Sequence, residues 1–167
     1  MSNLHVGIDA GSVSLNCMII DSERSIVNEF PYTRHLGRVE ECVLGLISDI
    51  YEKYGMENIA SISFTGSHGQ IFSERLGVRF EYETISQILG SLVVQPDART
   101  IISMGGQNTA IFQIVHHNGT WELEYFNCNG PCASGTGSFI DQQAQRIATS
   151  LYTDCLLYTS PSPRDRS

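Results

Sequence analysis

The stretch LHVGIDAGSVSLNCMIID, residues 4–21, holds an apolar strand, a glycine turn and a second apolar strand. In its centre, GIDAGS (7–12), Asp9 ends the first strand and Gly11 and Ser12 begin the return. Free backbone N–H groups in such a turn can bind phosphate oxygens, and a carboxylate at the strand tip can hold hydrated Mg²⁺. The alternative is an ordinary hairpin in which glycine only relieves the backbone.

A second unit repeats this arrangement. The turn MGGQN (104–108) joins two strands, ARTIISMGG (98–106) and TAIFQIVHH (109–117), and TWELEYFNC (120–128) follows after the hairpin signal Asn118-Gly119. Because the turn recurs at the same place in both units, we predict a two-sided phosphate clamp rather than two unrelated hairpins. The Walker A pattern is absent from the sequence, which argues against a P-loop protein.

The remaining periodicities give the order βββαβ(α)(β)α, then βββα. They predict an α/β fold in which mixed sheets are covered by helices. Beyond the strands above, the predicted elements are strands at 25–35 and 59–66 and helices at 38–54, about 69–76, 84–94 and 137–149. We predict a first subdomain at 1–97 and the beginning of a second at 98–154, with the rest of that second half missing from this chain.

Composition excludes several functions. The net charge of −8 and the pI near 5.0 argue against a nucleic-acid binder or a binder of anionic membranes, since such partners require clustered Lys and Arg. No signal peptide or membrane-spanning run is visible. The five cysteines are irregularly spaced and odd in number, which predicts a reducing, cytoplasmic location.

The last thirteen residues, CLLYTSPSPRDRS (155–167), have no helical or strand period. They resemble a translated sequencing adapter, and we predict that they are non-native and end a shortened reading frame. A natural disordered tail is the alternative.

The segment NCNGPCASGTGSF (127–139) places Cys132 and a Gly-Thr-Gly run before the last predicted helix. A thiolate there meets the positive end of a helix and unpaired N–H groups, which suits a metal or cluster ligand. A buried cysteine of no chemical role is the alternative, and we prefer it for Cys17 and Cys42. Cys128 is predicted to be structural, because C-x-x-x-C is not a usual zinc spacing.

Together these segments resemble the activator ATPases of 2-hydroxyacyl-CoA dehydratases and benzoyl-CoA reductases, the BadF/BadG/BcrA/BcrD type. The resemblance covers residues 4–154, and its most specific part is CASGTGSFIDQQA (132–144). The turn at Asp9, TGS (65–67), GGQN (105–108) and YTRHLGR (32–38) also carry it. The glycine turns alone are shared with the whole actin, sugar-kinase and heat-shock-chaperone superfamily.

The resemblance implies a duplicated ribonuclease-H-like, actin-like fold that binds ATP or ADP with Mg²⁺ between its halves. It implies a homodimer sharing one 4Fe–4S cluster, and an acyl-CoA dehydratase or reductase as the electron-accepting partner. Asp9 would hold Mg²⁺ through water and orient the attacking water, and Cys132 would bind the cluster. The other implied cofactor-binding residues are Gly11, Ser12, Gly105, Gly106, Gln107, Gly135, Thr136 and Gly137.

Four departures from the family weaken the predicted ATPase. Asn16 stands where the family has Lys, and Ser103, Asn108 and Ala110 replace an acidic residue, Asp and Lys. Fewer charges mean weaker Mg²⁺ coordination and charge neutralisation in phosphoryl transfer. Two alternatives therefore stay open: a non-hydrolysing nucleotide-binding or scaffold protein, and a sugar or acetate kinase of the same fold.

Overall fold

The computed structural model describes residues 3–117, 119–130 and 136–146. The chain divides into two compact units, Met1–Ala98 and Arg99–Ser167, each treated separately below. The predicted non-native tail, 155–167, lies outside the described residues. Within those residues, no helix combines the length and the apolar character needed to cross a membrane.

The first unit is built on a mixed, six-stranded sheet. Its strands are β1 (Leu4–Ala10), β2 (Ser14–Ile20), β3 (Ile26–Glu29), β4 (Thr33–Arg34), β5 (Ile59–Thr65) and β6 (Arg79–Phe80). They lie in the order β3-β2-β1-β5-β6, with β4 also paired to β2. The β1–β2 pair is antiparallel, whereas β1–β5 and β5–β6 are parallel and are connected through helices.

Alternation along β1 explains which face of the sheet is buried. Leu4, Val6, Ile8 and Ala10 are all buried in the core, as expected when every second side chain of a strand faces the same way. Three helices belong to this unit: α1 (Val39–Tyr54), α2 (Gly69–Leu76) and α3 (Glu83–Val94). The helix predicted at 38–54 is confirmed as α1, and its apolar residues at helical spacing are buried or packed against this core: Val39, Cys42, Val43, Leu46, Ile47 and Ile50.

The prediction of one continuous strand over residues 25–35 was wrong. The segment forms the two short strands β3 and β4, both paired antiparallel to β2. The Phe30 N–H still donates to the Cys17 carbonyl of β2 at 2.9 Å, but Pro31 has no N–H to donate to the ladder and restricts the backbone of the residue before it. The ladder is therefore interrupted where residues 30–32 lie opposite residues 16–17 of β2.

The second unit contains an antiparallel meander followed by a helix. The strands β7 (Thr100–Met104), β8 (Thr109–His117) and β9 (Thr120–Cys128) lie in sequence order, and α4 spans Gly137–Arg146. Gly119, with φ of 80°, turns the chain between β8 and β9, as the hairpin signal predicted. Asn118 and the predicted continuation of α4 to residue 149 lie outside the described residues.

Candidate phosphate and metal site

The two glycine turns share one hydrogen-bonding pattern. The N–H of Gly11 donates to the carbonyl of Ser14 at 3.0 Å, and the N–H of Gly105 donates to the carbonyl of Asn108 at 2.7 Å. A Cβ added to either glycine would lie 3.3 Å from that same carbonyl oxygen. Both turns are thus closed across three residues and leave little room for a side chain. The predicted equivalence of the two turns is confirmed.

The strand register beside the turns is also repeated. Asp9 on β1 pairs with Asn16 on β2, and Ser103 on β7 pairs with Ala110 on β8. Each first residue lies two positions before the glycine of its turn, so Ser103 is the counterpart of Asp9. The first unit therefore carries a carboxylate and an amide at this cross-strand position. The second carries a hydroxyl and a methyl group.

Asp9 is held in an environment that compensates its charge poorly. Its Oδ2 accepts a hydrogen bond from Asn16 Nδ2 at 3.4 Å, and its Oδ1 is buried with no partner among the described residues. Burial raises the pKa of this carboxyl, and the Asn16 hydrogen bond only partly opposes the effect. A buried, under-coordinated carboxylate oxygen is suited to a hydrated divalent cation, so Asp9 fits the predicted Mg²⁺ role.

The turn after β5 packs directly against Asp9. Thr65, the last residue of β5, pairs with Asp9, and its Oγ1 is buried with no partner in the described part of the chain. Gly66 adopts a φ of 86°, and a Cβ on it would lie 2.7 Å from the Ala10 carbonyl oxygen and would collide with Asp9 Oδ1. In the sequence, Thr65 and Gly66 are recognisable as candidate site residues only through the family resemblance. The parallel β1–β5 pairing brings them to the site.

Glu83 is a second carboxylate that the sequence analysis missed. It begins α3 and accepts a hydrogen bond from Gln87 Nε2 at 2.9 Å. Burial, and next the negative charge of Asp9, raise the pKa of Glu83. In a linear sequence it reads as an ordinary helix-starting acid, and only the fold places it within electrostatic reach of Asp9.

A cavity of about 380 Å³ borders Asp9 within the first unit. Its polar lining groups come from four strands, the loops beside them and α3: Asp9, Asn16, Glu29, Tyr32, Ser63, Thr65, Glu81 and Ser86. Arg79 lowers the pKa of Glu81 by donating a hydrogen bond to its carboxylate, and the backbone N–H of Tyr82 adds to this. The cavity is therefore lined both by Glu81, a stable anion, and by Asp9, whose pKa is raised.

In the second unit, the glycine turn is fastened to the start of α4. The N–H of Gly137 donates to the Gly105 carbonyl at 3.0 Å, and the N–H of Ser138 donates to the Gly106 carbonyl at 2.9 Å. A Cβ on Gly137 would lie 3.3 Å from the Gly105 oxygen, so glycine allows close packing here. These two N–H groups at the start of α4 thus donate to backbone carbonyls of the glycine turn.

Asn129 holds the other end of the same turn and was also missed. Its Oδ1 accepts the N–H of Thr109 at 2.7 Å, and its Nδ2 donates to the Gln107 carbonyl at 3.4 Å. Its backbone N–H donates to the Thr109 carbonyl at 2.9 Å. An Asn directly after a strand is a recognisable signal for such a local bridge.

Cys132 and Gly135 lie outside the described residues. Thr136 is fully buried, and its carbonyl accepts the N–H groups of Phe139 and Ile140, as expected of a residue at the start of a helix.

Among residues 3–117, 119–130 and 136–146, no group of three His, Cys, Asp or Glu side chains is arranged to hold a metal ion. The described cysteines differ in exposure: Cys17 is buried, Cys42 is intermediate and Cys128 is exposed.

Comparison with known structures defines the class of protein. An exopolyphosphatase from Cytophaga hutchinsonii superposes with a TM-score of 0.55 at 15% identity, over 93% of this chain and 61% of that chain. No family model matches the sequence. The duplicated glycine-turn unit and this neighbour, with the closer ones below, define an actin-like ATPase fold, as the sequence predicted.

Within that class, the chain is homologous to the activators of 2-hydroxyacyl-CoA dehydratases. It is 30% identical to the (R)-2-hydroxyglutaryl-CoA dehydratase activating ATPase of Acidaminococcus fermentans, over 86% of this chain and 54% of that protein. Component A of that dehydratase has a TM-score of 0.79 at 25% identity, covering 96% of this chain and 61% of its own.

The activator of the 2-hydroxyisocaproyl-CoA dehydratase from Clostridium difficile, solved with bound ADPNP, gives a TM-score of 0.75 at 25% identity. The match covers 97% of this chain and 59% of that one. The chain thus spans about half the length of the curated relatives it matches.

Proposed function

We propose that this chain is part of an ATP-dependent activator of a 2-hydroxyacyl-CoA dehydratase. The observation that carries the proposal is the buried, unpartnered Oδ1 of Asp9 beside a tight glycine turn. The activating-ATPase name of the Acidaminococcus relative and the ADPNP bound to the Clostridium neighbour support a nucleotide at such turns. The names of the relatives also support a dehydratase, rather than a sugar or acetate acceptor, as the partner.

In this proposal each residue has a separate task. Asp9 holds Mg²⁺ through water, and the backbone N–H of Ser12 donates to phosphate oxygens. Gly11, whose own N–H closes the turn onto Ser14, lets the phosphates approach the backbone closely. Bound Mg²⁺ would supply neutralisation of phosphate charge. Gly105, Gly106 and Gln107 offer a second phosphate-binding turn. Because Gly137 donates its N–H to Gly105, we assign it to support of that turn rather than to direct contact with nucleotide.

Slow hydrolysis is expected, since the second turn carries no charge. Ser103 and Ala110 face each other where the family has an acidic residue and Lys, and Asn108 replaces Asp. Asn16 likewise offers Asp9 one hydrogen bond of 3.4 Å in place of an ammonium group. These uncharged pairs favour a second candidate function, a nucleotide-binding module that does not hydrolyse its ligand.

The proposal is tested by titrating Mg²⁺–ADPNP into the wild-type chain by calorimetry, with amide NMR spectra recorded in parallel. We expect one site per chain, with the largest amide shifts at Gly11 and Ser12, and weaker binding when EDTA removes Mg²⁺. ATP turnover measured on the same sample then separates the two candidates. A chain that shows neither heat nor amide shifts contradicts nucleotide binding altogether.

The electron-transfer part of the proposal depends on Cys132. We propose that two copies of the intact protein share a 4Fe–4S cluster, to which each copy gives this thiol and one further cysteine, and pass an electron to the dehydratase. Cysteine thiolates are the usual ligands of such clusters, which supports a thiol in this role. The described residues offer no competing set of three metal ligands.

Iron content tests this role directly. After anaerobic reconstitution with iron and sulfide, we expect Cys132→Ala to lose most of the bound iron that the wild type retains. Cys128→Ala is the matched control, since Cys128 is an exposed cysteine of the same segment and is assigned no ligand role. Equal iron and sulfide content in wild type and Cys132→Ala would exclude Cys132 as a ligand.

A further inference from the structure

Two histidines converge on one carbonyl of the first glycine turn. His35 Nε2 lies 3.2 Å from the Gly11 carbonyl oxygen, and His68 Nδ1 lies 3.0 Å from the same oxygen. The two rings meet edge to face, with centroids 5.8 Å apart. His35 is only 4% exposed, and the sequence analysis gave neither histidine a role.

Hydrogen bonds define the tautomer of His35. The N–H of Gly37 donates to His35 Nδ1 at 3.1 Å, so the proton is on Nε2, which can then donate to Gly11. The loop is shaped for this contact, because Leu36 and Gly37 both have positive φ, 49° and 85°. A non-glycine residue such as Leu36 is strained in that region, and the surrounding structure must offset the strain.

His68 reaches the same carbonyl through its other ring nitrogen. Since a carbonyl oxygen only accepts, Nδ1 of His68 must carry the proton, and Ser67 Oγ lies 3.2 Å from that nitrogen as a second acceptor. The backbone N–H of His68 also donates to the Ala10 carbonyl at 2.9 Å. The turn after β5 is therefore docked on the glycine turn through both backbone and side chain.

Fixing the Gly11 carbonyl fixes the direction of the next N–H. In a trans peptide the C=O and the following N–H point in opposite directions, so the N–H of Ser12 points away from the two imidazoles. Within the described residues, the backbone N–H groups of Ser12 and Val13 donate to no hydrogen bond. They are free to meet an anion.

In the second unit, the equivalent carbonyl is held by different groups. Its equivalent carbonyl, that of Gly105, accepts the N–H of Gly137 at the start of α4. Both turns therefore have this one carbonyl held from outside the turn, by imidazoles in the first unit and by a helix terminus in the second. A feature reproduced with unrelated chemistry indicates that the orientation of this peptide matters to the turn.

We propose that His35 and His68 are positioning residues that orient the Gly11–Ser12 peptide so that the Ser12 N–H faces the phosphates of the nucleotide. This rests on the proposed function. The pair does not touch the phosphates and acts through the peptide it holds.

Amide isosteres of matched reach test the proposal. Glutamine places an amide N–H near the position of histidine Nε2, and asparagine places one near Nδ1. We expect His35→Leu and His68→Leu each to raise the Kd for Mg²⁺–ADPNP about tenfold. That is roughly the effect of losing one hydrogen bond that holds the turn in its binding conformation. His35→Gln and His68→Asn should recover most of that loss, whereas the exchanged amides, His35→Asn and His68→Gln, should not.

The controls separate this inference from the proposed function. His117→Leu removes an exposed imidazole from β8 and should leave the Kd unchanged. Ring-nitrogen NMR of the nucleotide-free chain should show His35 protonated on Nε2 and His68 on Nδ1, independent of any ligand. If the wild type binds no nucleotide, the proposed function and the inference fail together. If it binds but the leucine variants bind equally well, or the tautomers are reversed, only the inference is overturned.

Discussion

Replacing Gly66 by alanine is expected to lower the free energy of unfolding by about 3–5 kcal/mol. Gly66 has a φ of 86°, which an L side chain rarely adopts. The new Cβ would also lie 2.7 Å from the carbon and the oxygen of the Ala10 carbonyl and would collide with Asp9 Oδ1. The Asp9 carboxylate and the Ala10 backbone must both move, and the backbone shift is the costly one because Ala10 is held in the sheet.

Gly77→Ala is the matched control for this effect. Gly77 also has a positive φ, 65°, but a Cβ on it would find nothing within 4 Å. Its substitution should cost only the backbone strain, about 1–2 kcal/mol. Urea unfolding followed by circular dichroism measures both variants. Equal losses would show that the contact with Asp9 and Ala10 is easily relieved.

Asp9→Asn is expected to lower ATP turnover at least about a hundredfold while leaving the folded chain as stable as the wild type or more stable. The amide keeps the shape of the carboxyl but cannot hold a hydrated cation by charge. Stability should not fall, because the buried Oδ1 has no partner to lose among the described residues. Turnover at saturating Mg²⁺–ATP and urea unfolding test the two halves of this expectation.

The pH dependence of stability gives an independent check on Asp9. The folded-state pKa values of Asp9 and Glu83 are raised above the ordinary 3.8 and 4.5. The folded chain then binds protons more tightly than the unfolded chain, so these groups stabilise it at low pH and lose that contribution as pH rises through the raised values. Asp9→Asn should flatten this decline and also bring the pKa of Glu83 closer to its ordinary value.

Asp49→Asn controls for the general loss of one negative charge, since Asp49 is an exposed carboxylate on α1. It should leave ATP turnover unchanged. A wild-type turnover retained by Asp9→Asn would remove Asp9 from the proposed role, whatever the stability measurements show.

Much of the fold follows from local patterns. The alternation in β1 and the apolar stripe of α1 are clear because each buries one face against the same core. The two glycine turns were recognisable as repeats because a three-residue closure needs glycine at the same place in both. Local pattern failed at Pro31, where the ladder is interrupted.

The candidate site was predictable only in part. Asp9 and the turn glycines are adjacent in sequence and carry a motif. By contrast, Gly66, Glu83 and His68 reach Asp9 or Gly11 through the parallel β1–β5 pairing, which no short stretch of sequence specifies. His35 additionally depends on the positive φ of the loop that follows it. Such residues look like ordinary turn or surface residues until the strands are paired.

The two hydrogen bonds from Gly137 and Ser138 to the glycine turn of the second unit have a mechanical consequence. Because Gly137 has no Cβ, the turn and the first residues of α4 pack backbone against backbone. We expect the two to move together. A ligand that displaced this turn would therefore displace the start of α4 as well.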